Sequence, residues 1–150
     1  MRNKRIVFMM MTILWVAVIF SFSLQPGEIS GDISGSFLQK VLEWFAPQEL
    51  DKEQMDFWHT ALRKCAHFSE FFVLGVLSSL TLLQTKLSRR KLIGMLFCLV
   101  VAAMDETIQL FVSERAGRLM DVMIDGSGAL VGLVMVFVVA GRDLFLNNIP

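Results

Sequence analysis

The chain has little of what would place it among secreted, nucleic-acid-binding or soluble globular proteins. Its two cysteines, Cys65 and Cys98, cannot build a disulfide framework in 150 residues. In the helical arrangement read below they lie near opposite faces of the membrane, too far apart to bridge. Fourteen basic residues are balanced by fourteen acidic ones, so no excess charge points to nucleic acid or to an acidic partner. A glycine-rich phosphate loop, a nucleophile elbow and the His-Glu-x-x-His zinc spacing are all missing. No internal repeat or low-complexity tract appears, and the length leaves no room for a separate soluble domain. The expectation is one domain over residues 1–150.

What the chain has in quantity is apolar sequence, 55% of its residues, gathered in long blocks rather than in the period-2 or period-3.6 patterns of a soluble core. That composition predicts an all-α membrane protein. Arg2, Lys4 and Arg5 precede an uncharged run from Ile6 to Leu24, about the ~20 residues that a ~30 Å hydrocarbon layer requires. Its length favours a retained transmembrane helix over a cleaved signal sequence, whose apolar region is roughly 7–15 residues; only Ser21 and Ser23 offer a small-residue cleavage site. Further spans are expected at about 64–83, 92–112 and 121–140, making four with the first at about 6–24.

Between the first two spans lies a long connection. Gln25, Pro26 and Gly27 end the first helix, and the Gly- and Ser-rich stretch 27–36 reads as a mobile loop. Ser36 with Gln39 resembles a capping box, after which Phe37, Leu38, Val41, Leu42 and Phe45 recur on one face until Pro47. With Trp44 beside them they suggest a helix on the membrane surface or on the tops of the spans. Asp51 with Gln54 marks another start, and Met55, Trp58, Leu62 and Cys65 form a stripe that runs into the second span without a breaker.

Charge placement orients the chain. The connection from Gln84 to Lys91 holds Lys86, Arg89, Arg90 and Lys91 and no acid, so the positive-inside rule puts it in the cytoplasm. Both termini are then expected there as well, with the tail containing Arg142 and Asp143. The long first connection, with seven acids between Glu28 and Asp56, falls outside.

This topology gathers the polar residues of the spans. His67 and Glu70 start the second, Asp105, Glu106 and Gln109 end the third, and Asp121 and Asp125 begin the fourth; all fall in the outer half. At 1.5 Å per residue, Glu70, Glu106 and Asp125 come to comparable depths, with His67, Gln109 and Asp121 roughly one turn above. Each pair is three or four residues apart and shares a helix face, which must turn away from lipid. Gly128 and Gly132 continue the face of the fourth helix as a small-xxx-small pattern and are assigned to packing.

Three segments then carry a resemblance: Arg63-Lys64-Cys-Ala-His67-Phe-Ser-Glu70-Phe-Phe-Val-Leu-Gly75, Asp105-Glu106-Thr-Ile-Gln109-Leu-Phe-Val-Ser-Glu-Arg115, and Arg118-Leu-Met-Asp121-Val-Met-Ile-Asp125-Gly126-Ser-Gly128. Together they resemble the VanZ family of small bacterial membrane proteins over roughly Leu62 to Gly132, and the Ser-x-Ser-x-Gln-Pro-Gly end of the first helix also fits. The resemblance implies a role near the cell envelope, and by the family's name an accessory role in teicoplanin resistance.

Three chemistries suit the constellation. The first is recognition of a membrane lipid, a lipid-linked cell-wall precursor or a lipophilic glycopeptide, with Arg63, Lys64, Arg115 and Arg118 at the rim as donors for phosphate or carboxylate. His67, Glu70, Glu106, Gln109, Asp121 and Asp125 complete that expected binding set. The second is a membrane-embedded enzyme drawing on His67, Glu70, Glu106 or Asp125 as its acid-base residues. The third is metal binding by His67, Glu70, Glu106 and Asp125; no metal and no cofactor is assigned, because no established ligand spacing is present. A structural alternative pairs Arg63 or Arg118 with Asp121 and Glu106 with His67, fixing register only, and Asp105 and Glu114 read as solvated or structural charges. Topology provides the first test: in a background lacking both natural cysteines, Arg89→Cys should react with a membrane-impermeant maleimide only after the cells are permeabilised. Labelling of intact cells would reverse the orientation.

Overall fold

The backbone from Lys52 to Leu83 forms one helix of 32 residues, about 48 Å at 1.5 Å per residue, and every other helix packs against it. A computed structural model describes residues 2–45, 51–115 and 117–146. In chain order its helices are α1 (Arg2–Ser23), α2 (Gly27–Phe45), α3 (Lys52–Leu83), α4 (Arg90–Gln109) and α5 (Leu119–Leu146). Four of them, α1, α3, α4 and α5, are long and apolar enough to cross a membrane. No strand occurs among the described residues.

The helix ends follow local chemistry. Asp51 caps α3: its Oδ1 accepts the Gln54 N–H at 2.8 Å, and Gln54 Oε1 accepts the Asp51 N–H at 3.2 Å. This is the start expected from the sequence. At the other end of α3 the Arg90 guanidinium donates to the Leu83 and Thr85 carbonyls at 3.4 and 3.5 Å, placing a cation on carbonyls left without helical partners. The length of α3 exceeds the ~30 Å of a hydrocarbon layer. The surplus matches its first turns, where Lys52, Glu53, Asp56 and Arg63 are exposed.

Several boundaries differ from expectation. Residues 27–36 are helical rather than a mobile loop, so Ser36 lies inside α2 instead of capping it. One contact and one charge favour this: the Gly27 N–H donates to the Ser113 carbonyl at 3.0 Å, anchoring the start of α2 on the α4–α5 turn, and Glu28 places negative charge on its first turn. Further along α2, Leu38 is buried and Phe37 is exposed. Pro47, and the side chains from Val41 onward in that helix, lie outside what is described. The third apolar block also ends early, with α4 stopping at Gln109 and Leu110–Val112 already turning back. Beyond the fourth block, the expected tail around Arg142 continues α5 as helix to Leu146.

At the bundle centre Ile19 of α1, Phe71 and Leu74 of α3, Cys98, Val101 and Ala102 of α4 and Ala129 of α5 form the buried cluster. Along the outward faces, side chains such as Met10, Leu14, Val100, Met123 and Val138 are exposed, as helices bathed in lipid require. Since lipid is as apolar as these side chains, close packing has to hold the helices together. The tightest approach joins α3 and α5. A β-carbon on Gly128 would collide with the Phe68 carbonyl, one on Gly132 with the Phe72 carbonyl, and one on Gly75 with the Ala129 carbonyl. All three obstacles are backbone atoms, which a rotamer change cannot move aside. Gly128→Val or Gly132→Val should therefore destabilise the detergent-solubilised protein by about 1–3 kcal/mol or more, while Gly141→Ala, with open space around it, should leave the melting temperature unchanged or slightly raised. Thermal unfolding followed by circular dichroism measures the difference.

Candidate functional site

A salt bridge and a histidine–carboxylate hydrogen bond link α3 to α5. Arg63 Nη2 donates to Asp121 Oδ2 at 3.2 Å, and His67 Nδ1 meets Asp125 Oδ1 at 3.2 Å. Both pairs are 58 residues apart in sequence, a constant offset that only parallel helices in register give. The partners stand four apart on each helix, so they form a two-rung ladder on facing surfaces. Above and below this ladder the environments differ. The Arg63 side chain is 45% exposed, whereas Asp125 is fully buried.

α4 brings the remaining acids. Asp105 is 1% exposed and takes hydrogen bonds on both oxygens: from Ser23 Oγ on Oδ1, and from Gln109 Nε2 on Oδ2 at 3.0 Å. The first of these ties the end of α1 to the polar centre. Glu106 spans the α4–α5 turn, its Oε2 accepting the Arg118 N–H at 2.7 Å just ahead of α5. The bond supplies an acceptor and negative charge at the start of α5. Close approach of the two segments requires Gly117, whose β-carbon would collide with the Glu106 carbonyl.

These elements converge. His67, Asp105, Glu106 and Asp125 each present one ligand-capable atom, and those four atoms all lie within 4.8 Å of one another with every residue buried. Glu70, expected at the depth of Glu106 and Asp125, is not among them, and His67, expected a turn higher, is. Depth measured from the start of an apolar block places α3 about a turn off, because that helix already begins at Lys52, twelve residues ahead of its block. Glu70 is half-buried beside the group; its own backbone carbonyl accepts the Trp15 indole N–H at 2.9 Å.

Two cavities open among the surrounding residues, one of them reaching the cluster at His67. One, of about 340 Å³, is lined by polar groups including His59, Thr60, Arg63, Gln109, Arg115 and Arg118. The other, of about 380 Å³, has a largely apolar wall that includes Phe22 and Phe37, and reaches His67, Glu70 and Ser23. Arg63 and Arg115, with Leu62 and Ala66, line both. Burial lowers the pKa of Arg115 from its ordinary value; attraction to Asp105 opposes this, Arg63 adds to it, and Glu70 and Glu106 oppose it further. A guanidinium titrates so far above neutrality that Arg115 remains a cation at any physiological pH.

Most of the expected binding residues thus meet in space, with corrections. Lys64 lines neither cavity. Arg63, not Arg118, pairs with Asp121, and His67 pairs with Asp125, not Glu106. Asp105, read as a solvated or structural charge, is among the most buried residues of the chain. Ser23 and His59 were missed as site residues. Ser23 had a signal in the Ser-x-Ser-x-Gln-Pro-Gly end of the first helix, but His59 had none, because its place beside the site depends on how α2 and α3 pack.

The VanZ/LLP1 family model matches residues 8–140. The chain belongs to the VanZ/LLP1 family. No curated protein and no solved structure matches it. The family match covers α1 through most of α5, and with four apolar helices it makes this VanZ/LLP1 protein a multi-pass membrane protein. Every residue of the polar cluster and of both cavities falls inside the matched span.

The bond from Arg118 to Glu106 yields a test of how the cluster is held. Glu106→Ala should lower stability by about 1–2 kcal/mol through loss of the acceptor at the start of α5, while Glu106→Gln, which keeps a carbonyl oxygen there, should cost less than half as much. Equal losses in the two variants, read from thermal unfolding in detergent, would show that Glu106 contributes nothing at the helix start.

Proposed function

We propose that this VanZ/LLP1 protein recognises an amphipathic anionic molecule of the cell envelope at the outer face of the membrane: a lipid, a lipid-linked cell-wall precursor or a lipophilic glycopeptide. The observation that carries this reading is the shared wall of the two cavities. Arg63 and Arg115 stand between a cavity of about 340 Å³ whose wall is polar and apolar in about equal measure and a largely apolar one of about 380 Å³. A molecule with an acidic headgroup and an apolar tail matches that division, the headgroup meeting Arg63, Arg115 and Arg118 and the tail lying against Phe22, Phe37 and Leu62. Forked guanidinium donors suit phosphate or carboxylate oxygens. The sizes fall in the range of small-molecule sites, roughly 300–1,000 Å³.

Buried charge beneath the rim supports the same reading. Asp121 holds Arg63 by one nitrogen, leaving its other donors for a ligand. Glu70, Asp105 and Glu106 attract Arg115 without forming an ion pair within 4 Å among the described residues, so its guanidinium is positioned but not consumed. The outward orientation comes from the acid-free basic connection Lys86–Lys91, which the positive-inside rule assigns to the cytoplasm, at the opposite ends of α3 and α4 from the site.

Native mass spectrometry of the purified protein tests the proposal with phosphatidylglycerol, undecaprenyl phosphate and teicoplanin offered against phosphatidylcholine. At least one anionic probe should be retained in preference to phosphatidylcholine, and Arg115→Gln together with Arg118→Gln should weaken that retention by about tenfold or more, the loss of one to two charge-assisted hydrogen bonds. Equal retention of phosphatidylcholine and all anionic probes, unchanged in the variant, would overturn it.

A further inference from the structure

We infer that His67, Asp105, Glu106 and Asp125 form a binding site for a single divalent transition-metal ion, Zn²⁺ or Mn²⁺, buried in the bundle beneath the two cavities. The inference is independent of the anionic-ligand reading, since it concerns the polar centre and not the arginine rim.

Geometry is the first argument. One atom from each of the four residues lies within 4.8 Å of all the others, although the residues come from three helices. Donors about an ion at ~2.1 Å stand roughly 3.0–3.4 Å apart when adjacent and about 4.2 Å apart when opposed. His67 Nδ1 and Asp125 Oδ1, hydrogen-bonded at 3.2 Å, already stand at the spacing of adjacent donors, and that bond would be exchanged for the ion. Bringing the widest pair, no more than 4.8 Å apart, to the ~4.2 Å of opposed donors needs about 0.3 Å from each side chain, and to the ~3.4 Å of a tetrahedral shell about 0.7 Å.

Unpaired oxygens are the second argument, and they do not depend on the first. Glu106 Oε1 and Asp125 Oδ2 are buried and have no hydrogen-bond partner. The two residues are 5% and 0% exposed. An acceptor stripped of water and left unpaired is costly, more so when it carries charge. The other oxygens of the same carboxylates are occupied, by the Arg118 N–H and by His67. What remains is a pair of lone acceptors in the interior, in two residues that are grouped with His67 and Asp105.

Charge is the third. Three carboxylates surround one imidazole, and among the described residues no Lys or Arg forms an ion pair with Asp105, Glu106 or Asp125. A dication supplies the missing compensation where Arg63 and Arg115 stay at the rim. The ligands are also held in the manner of metal sites, where neighbours hydrogen-bond the ligand and fix its orientation: Ser23 and Gln109 grip Asp105, and the Arg118 N–H grips Glu106. The apolar cavity reaches His67, giving an ion a way in and one side of the site a route to ligand or water. One imidazole with three carboxylates suits Zn²⁺ or Mn²⁺; an all-oxygen shell would be expected for Mg²⁺ or Ca²⁺.

The test uses full-length protein purified in detergent, stripped with a chelator, exposed separately to Zn²⁺, Mn²⁺, Mg²⁺ and Ca²⁺, and desalted before elemental analysis. Zn²⁺ or Mn²⁺ should remain at about one equivalent per chain, with Mg²⁺ and Ca²⁺ at background. Asp125→Asn and Glu106→Gln should each lower retention at least tenfold; Glu106→Gln keeps the acceptor for the Arg118 N–H, so its fold is preserved. Cys65→Ser should retain the full equivalent. Wild-type protein that retains less than a tenth of an equivalent of every ion overturns the proposal whether or not the variants fold. Retention of Mg²⁺ or Ca²⁺ instead, or of Zn²⁺ unchanged in both variants, overturns it equally. None of these readings alters with the outcome of the lipid and glycopeptide experiment, so the two proposals fail separately.

Discussion

The close parallel contact of α3 with α5 is the constraint on which the rest of the structure depends. Gly75, Gly128 and Gly132 let the two backbones touch where any side chain would intrude. With the axes that near, residues at a constant offset face each other: Arg63 meets Asp121, and His67 meets Asp125. A wider spacing would leave these charges reaching across a gap, or turned toward lipid, where an unpaired ion is most expensive. Packing of small residues and pairing of charged ones are therefore two parts of one interface. The first sets its distance and the second its register.

α4 and α1 complete the polar centre from the other side. Glu106 serves the start of α5 and at the same time places its second oxygen among His67, Asp105 and Asp125. Asp105 does the same for α1 through Ser23. A carboxylate that fastens two helices is held too firmly to relax away from its neighbours, so the concentration of acid persists. Such an arrangement stabilises poorly in itself, because desolvation offsets much of the attraction between buried ions. The arrangement lies within the family-matched span, beside the two cavities that share Arg63 and Arg115.

Much of this is legible in the sequence. Apolar block length located four spanning helices, with α3 starting twelve residues ahead of its block, because hydrocarbon thickness sets a minimum run of side chains and tolerates few interruptions. The Asp51 cap was legible because it is built from residues three apart. Depth was not: His67 and Glu70 exchanged places relative to expectation, since a helix that starts outside the bilayer offers no fixed origin for counting. Residues 27–36 looked like a loop on local composition, and a contact with Ser113, more than eighty positions away, helps to make them helix.

The sequence by itself determined the class of protein, the number of spans, the membership of most of the polar site and the role of Gly128 and Gly132 in packing. These follow from composition and short-range spacing, which a helix converts directly into faces. Only the tertiary structure decided which charges pair, which oxygens are left without partners, and that Asp105, Ser23 and His59 belong to the site. Those outcomes depend on helix rotation, crossing and offset. They are fixed by contacts between distant segments, and no local pattern in the chain encodes them.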